Sequence, residues 1–147
     1  MCGIVGYTGP NPCVEILVDG LRRLEYRGYD SAGIAVQMDG KLAVRKSQGK
    51  IARLTERIDQ EPVSGTCGIG HTRWATHGRP SETNAHPHRA GHVAVIHNGI
   101  VENHRTLKEL LRKRGSVFAS ETDTEVIAHL LDSFVSAGRT LEEAARL

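Results

Sequence analysis

The second residue of the chain is a cysteine, small enough for the initiator methionine in front of it to be trimmed. Trimming would leave a thiol and a free α-amine on one residue. Their unperturbed pKa values, about 8.5 and about 7.7–8.0, lie close enough for easy proton transfer near neutral pH. A terminal amine acting as base to its own side-chain nucleophile is one solution to nucleophile activation. Further along stand other groups suited to amide chemistry. The Asn98 side-chain amide and the Gly99 backbone N–H are natural donors to an oxyanion, each worth about 3 kcal/mol where such a donor is used. Arg73 suits a two-point grip on a carboxylate, and Asp123 suits an ammonium group. A ligand carrying both an α-carboxylate and an α-ammonium is an amino acid, and one with a cleavable side-chain amide is glutamine or asparagine.

Each of these residues also has a plainer reading. Cys2 can be a chance residue ahead of an edge strand, and Asn98-Gly99 is a common type I′ turn. Arg73 can be an ordinary surface ion pair, and Asp123 a carboxylate placed to favour a helix N-terminus. Trp74, the single tryptophan, is either a core anchor or a gate beside the polar stretch that follows it. The eight histidines raise a competing chemistry. His86-Pro87-His88, with His71, His77, His92 and His97, can be drawn as a zinc site. The nearest thiol, Cys67, lies apart, no Cys-x-x-Cys spacing occurs and acidic partners nearby are few, so no metal is expected. The histidines are expected to serve as loop hydrogen-bonding groups.

The elements that must position these groups are legible as periodic patterns. Ile4 and Val5 between glycines predict a short buried strand that holds the terminus in place. After Pro10-Asn11-Pro12, residues Val14, Leu17, Val18, Leu21 and Leu24 fall on one face of a helix, ended by Gly28. Ile34 to Val36 and Leu42 to Val44 flank Asp39-Gly40, a strong hairpin signal. Ile51, Leu54 and Ile58 predict a second helix, closed by Pro62. Gly68-Ile69-Gly70-His71 predicts a strand whose glycines allow close approach to the backbone. Residues 74–88 are polar and long for a loop in a compact domain, which marks them as functional or disordered. Val93 to Ile96 predicts a strand running into Asn98-Gly99. A helix with Leu107, Leu110 and Leu111 follows, ending at Gly115. Ser116 to Ala119 predicts a short strand. Ser120-Glu121-Thr122-Asp123 and Thr122-Asp123-Thr124-Glu125 both have the form of a capping box, placing Asp123 in the first turn of a helix closed by Gly138. Thr140-Leu141-Glu142-Glu143 is another capping box, opening a helix that runs to the end of the sequence; the expectation is a fragment of something longer.

Composition narrows the function classes. A chain of 147 residues accommodates one domain with a real core. A net charge of +2 with scattered signs leaves no electrostatic footprint for nucleic acid. The densest basic run, Arg112-Lys113-Arg114, is explained by the C-terminal end of a helix. Aromatic residues, at 4%, are too sparse for a base-stacking platform. No apolar run approaches the length of a membrane span. Three widely spaced cysteines suit a reducing, cytoplasmic setting better than a disulfide scaffold.

Several strings resemble one family: MCGIVG at residues 1–6, LRRLEYRGYDSAG at 21–33 and HTRWATHG at 71–78, with NAHPH at 84–88, HNGI at 97–100 and SETDTE at 120–125. Together they resemble the N-terminal glutaminase domain of the glucosamine-6-phosphate synthases, the isomerising glutamine:fructose-6-phosphate amidotransferases. The Cys-Gly-Ile start is shared with other N-terminal-nucleophile amidotransferases, whereas the second and third strings are far more specific to the fructose-6-phosphate branch. The resemblance implies an α+β fold, an αββα sandwich of the N-terminal-nucleophile hydrolase type. Residues 1–147 would be the first part of a type 2 glutamine amidotransferase domain, C-terminally incomplete, with the sugar-isomerase domains absent. It implies Cys2 as nucleophile, Asn98 and Gly99 as oxyanion hole, and Arg73, Thr76 and His77 as the glutamine carboxylate site. Asp123 would meet the ammonium, and Trp74 would gate ammonia passage. No cofactor is implied. The implied partner is L-glutamine; fructose-6-phosphate would be reached only through the missing domains of a cytoplasmic, homo-oligomeric parent. Two rivals are a non-catalytic glutamine-binding or assembly fragment and the glutaminase domain of another class II amidotransferase. A piece of such a sandwich is expected to be marginally stable or self-associated.

Overall fold

A computed structural model describes residues 2–74 and 79–147; Thr76 and His77 therefore lie outside the described residues. Strand β1 (Gly3–Thr8) leads into helix α1 (Cys13–Leu24), which passes through one 3-10 turn (Glu25–Arg27) to Gly28. β2 (Ser31–Met38) and β3 (Lys41–Gln48) form a hairpin, followed by α2 (Ile51–Gln60) and β4 (Cys67–Arg73). These four strands make one antiparallel sheet in the order β1-β4-β2-β3. β5 (His88–Ala90) and β6 (Val93–Val95) form a second, two-stranded antiparallel sheet. Helices α3 (His104–Lys113), α4 (Glu125–Ser136) and α5 (Leu141–Ala145) complete the chain.

The first sheet buries its outer face under α1 and α2. Leu17, Leu21, Ile34, Val36, Ile51 and Leu54 form the centre of this core, each worth about 1.5–3 kcal/mol on full burial. The spacing seen in the sequence supplies the helical half of it. The glycines of β4 supply the clearance: a Cβ on Gly68 would lie 2.9 Å from Leu17 Cδ1, and one on Gly70 would lie 3.1 Å from Leu21 Cδ1. Because side chains alternate along a strand, Gly68, Gly70 and Thr72 face α1, while Ile69, His71 and Arg73 face the other way.

That opposite face meets the second sheet and the segment leading into it. Lys46 on β3 donates to the carbonyls of Thr83 (3.2 Å) and Ala85 (2.9 Å), and Arg89 on β5 donates to Leu42 O at 3.0 Å. Gly33 has no room for a side chain, since a Cβ there would lie 2.3 Å from the His86 carbonyl oxygen. On its far side the second sheet packs on α4, which also contacts α3 and α5. The layers thus run helix, sheet, sheet, helix, the α+β sandwich expected.

Local turn chemistry agrees at several places. Asp39 and Gly40 both take positive φ, 51° and 73°, as the two-residue type I′ hairpin requires. At Thr140 the capping box forms in both directions, the side chain accepting from Glu143 N and the Glu143 carboxylate accepting from Thr140 N.

Three expectations require correction. β1 is not a buried strand, since Ile4 is exposed and Val5 only half-buried. Ser116 to Ala119 is not a strand, and the following helix starts at Glu125, not at Ser120; its N-cap, Thr124, makes no side-chain cap hydrogen bond. The reason is one carboxylate. Glu125 accepts Ala119 N at 2.8 Å, Ser120 N at 2.7 Å and Ser120 Oγ at 2.6 Å. The backbone donors of Ala119 and Ser120 that a strand there would need are already committed. Burial acts to raise the Glu125 pKa, but these hydrogen bonds prevail and hold it below the usual carboxylate range.

Candidate active site

A buried hydrogen bond helps to pin the start of the chain. Gly3 N donates to Thr72 Oγ1 at 3.0 Å, in register with the Gly3–Thr72 pair of the β1–β4 ladder. Glycine is demanded here, because a Cβ would stand 2.7 Å from both Leu24 Cδ1 and Thr72 Oγ1. Cys2 is therefore delivered to the end of β4 with little freedom. Its Sγ accepts the backbone N–H of Trp74 at 3.2 Å and lies 3.6 Å from the Trp74 carbonyl oxygen.

The loop after β6 approaches from the second sheet. Asn98 donates through Nδ2 to the Cys2 carbonyl oxygen at 3.3 Å, and its Oδ1 lies 2.9 Å from His71 Nε2. Asn98-Gly99 is thus no hairpin turn. It belongs to an irregular segment that crosses from one sheet to the terminus of the other. A Cβ on Gly99 would lie 2.7 Å from His97 Nε2, so the backbone runs close beneath that ring.

Asp123 is placed differently from the sequence expectation. It precedes α4 by two residues, and its Oδ2 accepts Val101 N at 2.7 Å. It is buried and ties the Asn98–Gly99 loop to the start of α4. Arg73 is also buried, 3% exposed at the end of β4, with Nη1 3.7 Å from Asp30 Oδ1. The backbone N–H of Asp30 in turn donates to the Arg73 carbonyl at 2.8 Å. A surface ion pair is excluded by that burial. Trp74 is no core anchor either: it is 53% exposed and lies against Gly28.

Cys2, Arg73, Trp74, Asn98, Gly99 and Asp123 all line one cavity of about 520 Å³. Arg27, His86, His97, Ile100, Thr122 and Thr124 also line it. The sequence carried a partial signal for these last residues. The histidines stood out by number, but their arrangement is a product of packing between sheets. His71 and His86 rings stack at 4.2 Å, and His86 meets His88 edge-on at 4.6 Å. Burial drives all three pKa values down, that of His71 to about 4 and that of His88 to about 3, with His86 held lower still. All three rings are neutral near pH 7. His88 Nε2 lies 2.9 Å from Thr122 Oγ1, whereas both ring nitrogens of His86 are buried without a hydrogen-bond partner among the described residues. His88 and His92 stand four residues apart, but His88 is on β5 and His92 in the turn that follows it, so no helical face brings them together. Among the described residues no group of three His, Cys, Asp or Glu side chains is placed to hold a metal ion.

Comparison with known proteins bears directly on this cavity. Residues 58–142 match the glutamine amidotransferase domain model, a span that includes Arg73, Trp74, Asn98, Gly99 and Asp123. The chain belongs to this family. Over all of its length, this glutamine amidotransferase domain is 55% identical to a glutamine--fructose-6-phosphate aminotransferase [isomerizing] of Bradyrhizobium diazoefficiens, covering 24% of that protein. It is 53% identical to a protein of the same name from Pyrococcus horikoshii, again over 100% of the chain and covering 25% of the relative. The chain thus spans about a quarter of the length of the curated relatives it matches. Among solved structures it is similar to the glutamine phosphoribosylpyrophosphate amidotransferase of B. subtilis. That match has a TM-score of 0.78 at 33% identity, covering 98% of this chain and 31% of the other. A second structure, described as the allosteric regulatory enzyme of purine biosynthesis, matches with a TM-score of 0.73 at 34% identity, covering 97% and 31%. These likenesses agree with the helix–sheet–sheet–helix layering described above. Among the described residues, no helix of the amidotransferase domain is long and apolar enough to cross a membrane.

Proposed function

We propose that this chain hydrolyses glutamine to glutamate and ammonia through a thioester on Cys2. The observation that carries the reading is the convergence of Cys2, Asn98, Arg73 and Asp123 on one cavity. With Met1 removed, the α-amine of Cys2 takes the thiol proton and the sulfur attacks the side-chain amide carbon. The C–N bond breaks as the amine returns that proton to the leaving nitrogen, and ammonia departs. Water then attacks the γ-glutamyl thioester, the C–S bond breaks and glutamate is released with the thiol restored. Asn98 Nδ2 and Gly99 N–H would stabilise the tetrahedral oxyanion in both halves. Arg73 would hold the substrate carboxylate, joined by Thr76 and His77, and Asp123 would hold the ammonium. Trp74, whose own N–H touches the sulfur, would control passage of ammonia out of the site.

The names of the relatives support a destination for that ammonia. In a longer protein of their kind it would pass to fructose-6-phosphate, giving glucosamine-6-phosphate. The decisive experiment is glutamate release from glutamine by the purified chain. Activity should vanish in Cys2→Ala and in a chain carrying an uncleaved N-terminal extension, which removes the free amine. An extended chain that turns over glutamine at the ordinary rate would refute the terminal-amine mechanism. Glutamine binding without glutamate release would assign the chain as a binding module instead.

A further inference from the structure

We infer that His71 is a positioning residue, whose Nε2–H fixes the Asn98 amide with its NH₂ side toward Cys2. The inference rests on the glutaminase reading for its catalytic meaning, but its geometry stands independently. An Asn side chain presents an acceptor on one side and two donors on the other, and rotation by half a turn exchanges them. In this site the two sides have different neighbours. One faces the carbonyl oxygen of Cys2 at 3.3 Å, the other faces His71 Nε2 at 2.9 Å.

Only one assignment satisfies both neighbours. The Cys2 carbonyl can only accept, so the amide must offer its NH₂ there, and the same orientation is the one useful to an oxyanion. Oδ1 then faces His71 and can only accept, which requires the proton of a neutral imidazole to sit on Nε2. The opposite tautomer would set a ring lone pair against Oδ1 and favour the flipped amide. That amide would point its oxygen at the place where negative charge develops. The His97 backbone also attracts a ring proton of His71, but Nδ1 makes no hydrogen bond of ordinary geometry among the described residues, so the 2.9 Å contact with Asn98 is the better-formed claim on the proton.

The ring has little freedom to turn. His71 has no exposed surface. His86 stacks on its face at 4.2 Å, and His86 is itself braced edge-on by His88, which is held by Thr122. The stack thus transmits the packing between the two sheets to the orientation of a single amide. Neutral rings suit such a stack, since charging any member would place a cation beside the others in a poorly solvated site.

Two measurements on the whole chain decide the inference. In a long-range ¹H–¹⁵N spectrum of the wild-type chain near pH 7, His71 should show a protonated Nε2 and an unprotonated Nδ1. The reverse tautomer would overturn the inference whether or not the chain turns over glutamine. In kinetics, His71→Leu should lower kcat for glutamate release about tenfold with KM changed less than about twofold. His71→Gln, whose amide N–H reaches near the position of Nε2, should restore most of the loss. In an Asn98→Ala background, His71→Leu should cost nothing further. A full additional loss in that background, or no rescue by a Gln variant that melts like the wild type, would assign His71 to general packing and overturn the inference. A wild-type chain that releases no glutamate would defeat the glutaminase reading alone, leaving the tautomer measurement to decide this one.

Discussion

Gly28 is the seat of Trp74: a Cβ at position 28 would lie 2.4 Å from the indole Cζ3. Gly28 also sits at φ 76° and ψ 146°, a backbone region open essentially to glycine alone. Gly28→Ala should therefore lower stability by about 1–3 kcal/mol through backbone strain and displace the indole as well. Trp74 is the only tryptophan, so its emission spectrum reports the displacement directly. A variant with unchanged emission and melting would show that the indole does not rest there.

Acid should destabilise the fold before its carboxylates titrate. His71, His86 and His88 all have folded-state pKa values below the unfolded value of about 6.5. Below that value the unfolded chain binds protons that the folded chain refuses, so stability falls as pH falls. The loss runs from about 6.5 down to about 4 for His71 and to about 3 for His88. Each ring contributes a slope approaching about 1.4 kcal/mol per pH unit within its window. Glu125, with its pKa depressed, acts in the same direction at lower pH, where protonation removes its grip on residues 119 and 120. Urea midpoints at pH 7.5 and 5.0 should differ clearly, and His86→Leu should make the difference smaller. Equal midpoints in the wild type would contradict the buried neutral stack.

Thr72→Val keeps the shape of its side chain but removes the acceptor for Gly3 N. With a buried donor left unsatisfied, the cost should be about 1–3 kcal/mol. Because the same bond fixes the terminus, glutamate release should fall even at temperatures where the variant is fully folded. Wild-type turnover in a destabilised Thr72→Val chain would separate terminus placement from activity.

Arg73→Lys retains charge but loses the planar fork, and should weaken glutamine binding by about 1–3 kcal/mol. On the proposed mechanism Asn98→Ala should instead lower turnover with less effect on KM, since its donor would act on the developing oxyanion. If both substitutions raised KM equally and left kcat intact, the division of roles between grip and oxyanion donor would be wrong.

Much of the scaffold was legible because its causes are local. The Asp39-Gly40 turn, the Thr140 capping box and the apolar face of α1 each depend on residues within a few positions of one another. The late start of α4 was hidden because Glu125 spends its carboxylate on Ala119 and Ser120 instead of capping its own helix. The site divides in the same way. Cys2, Arg73, Asn98, Gly99 and Asp123 could be picked out by side-chain chemistry. The histidine stack could not, because it exists only where β4 meets the segment entering β5 from the other sheet.

The register of β1 against β4 has one more consequence. The ladder ends at the Gly3–Thr72 pair, and Cys2 and Arg73 are the residues next to that pair on their own segments. Neighbouring strands are held about 4.8 Å apart by their hydrogen bonds, so the sheet sets how far apart the backbones bearing thiol and guanidinium begin. On the glutaminase reading, strand pairing sets the starting separation of nucleophile and carboxylate grip, and Thr76, His77 and Asp123 would complete the substrate site from outside the sheet. A slip of β1 along β4 would then shift the nucleophile relative to that grip and change the length of side chain the site accepts.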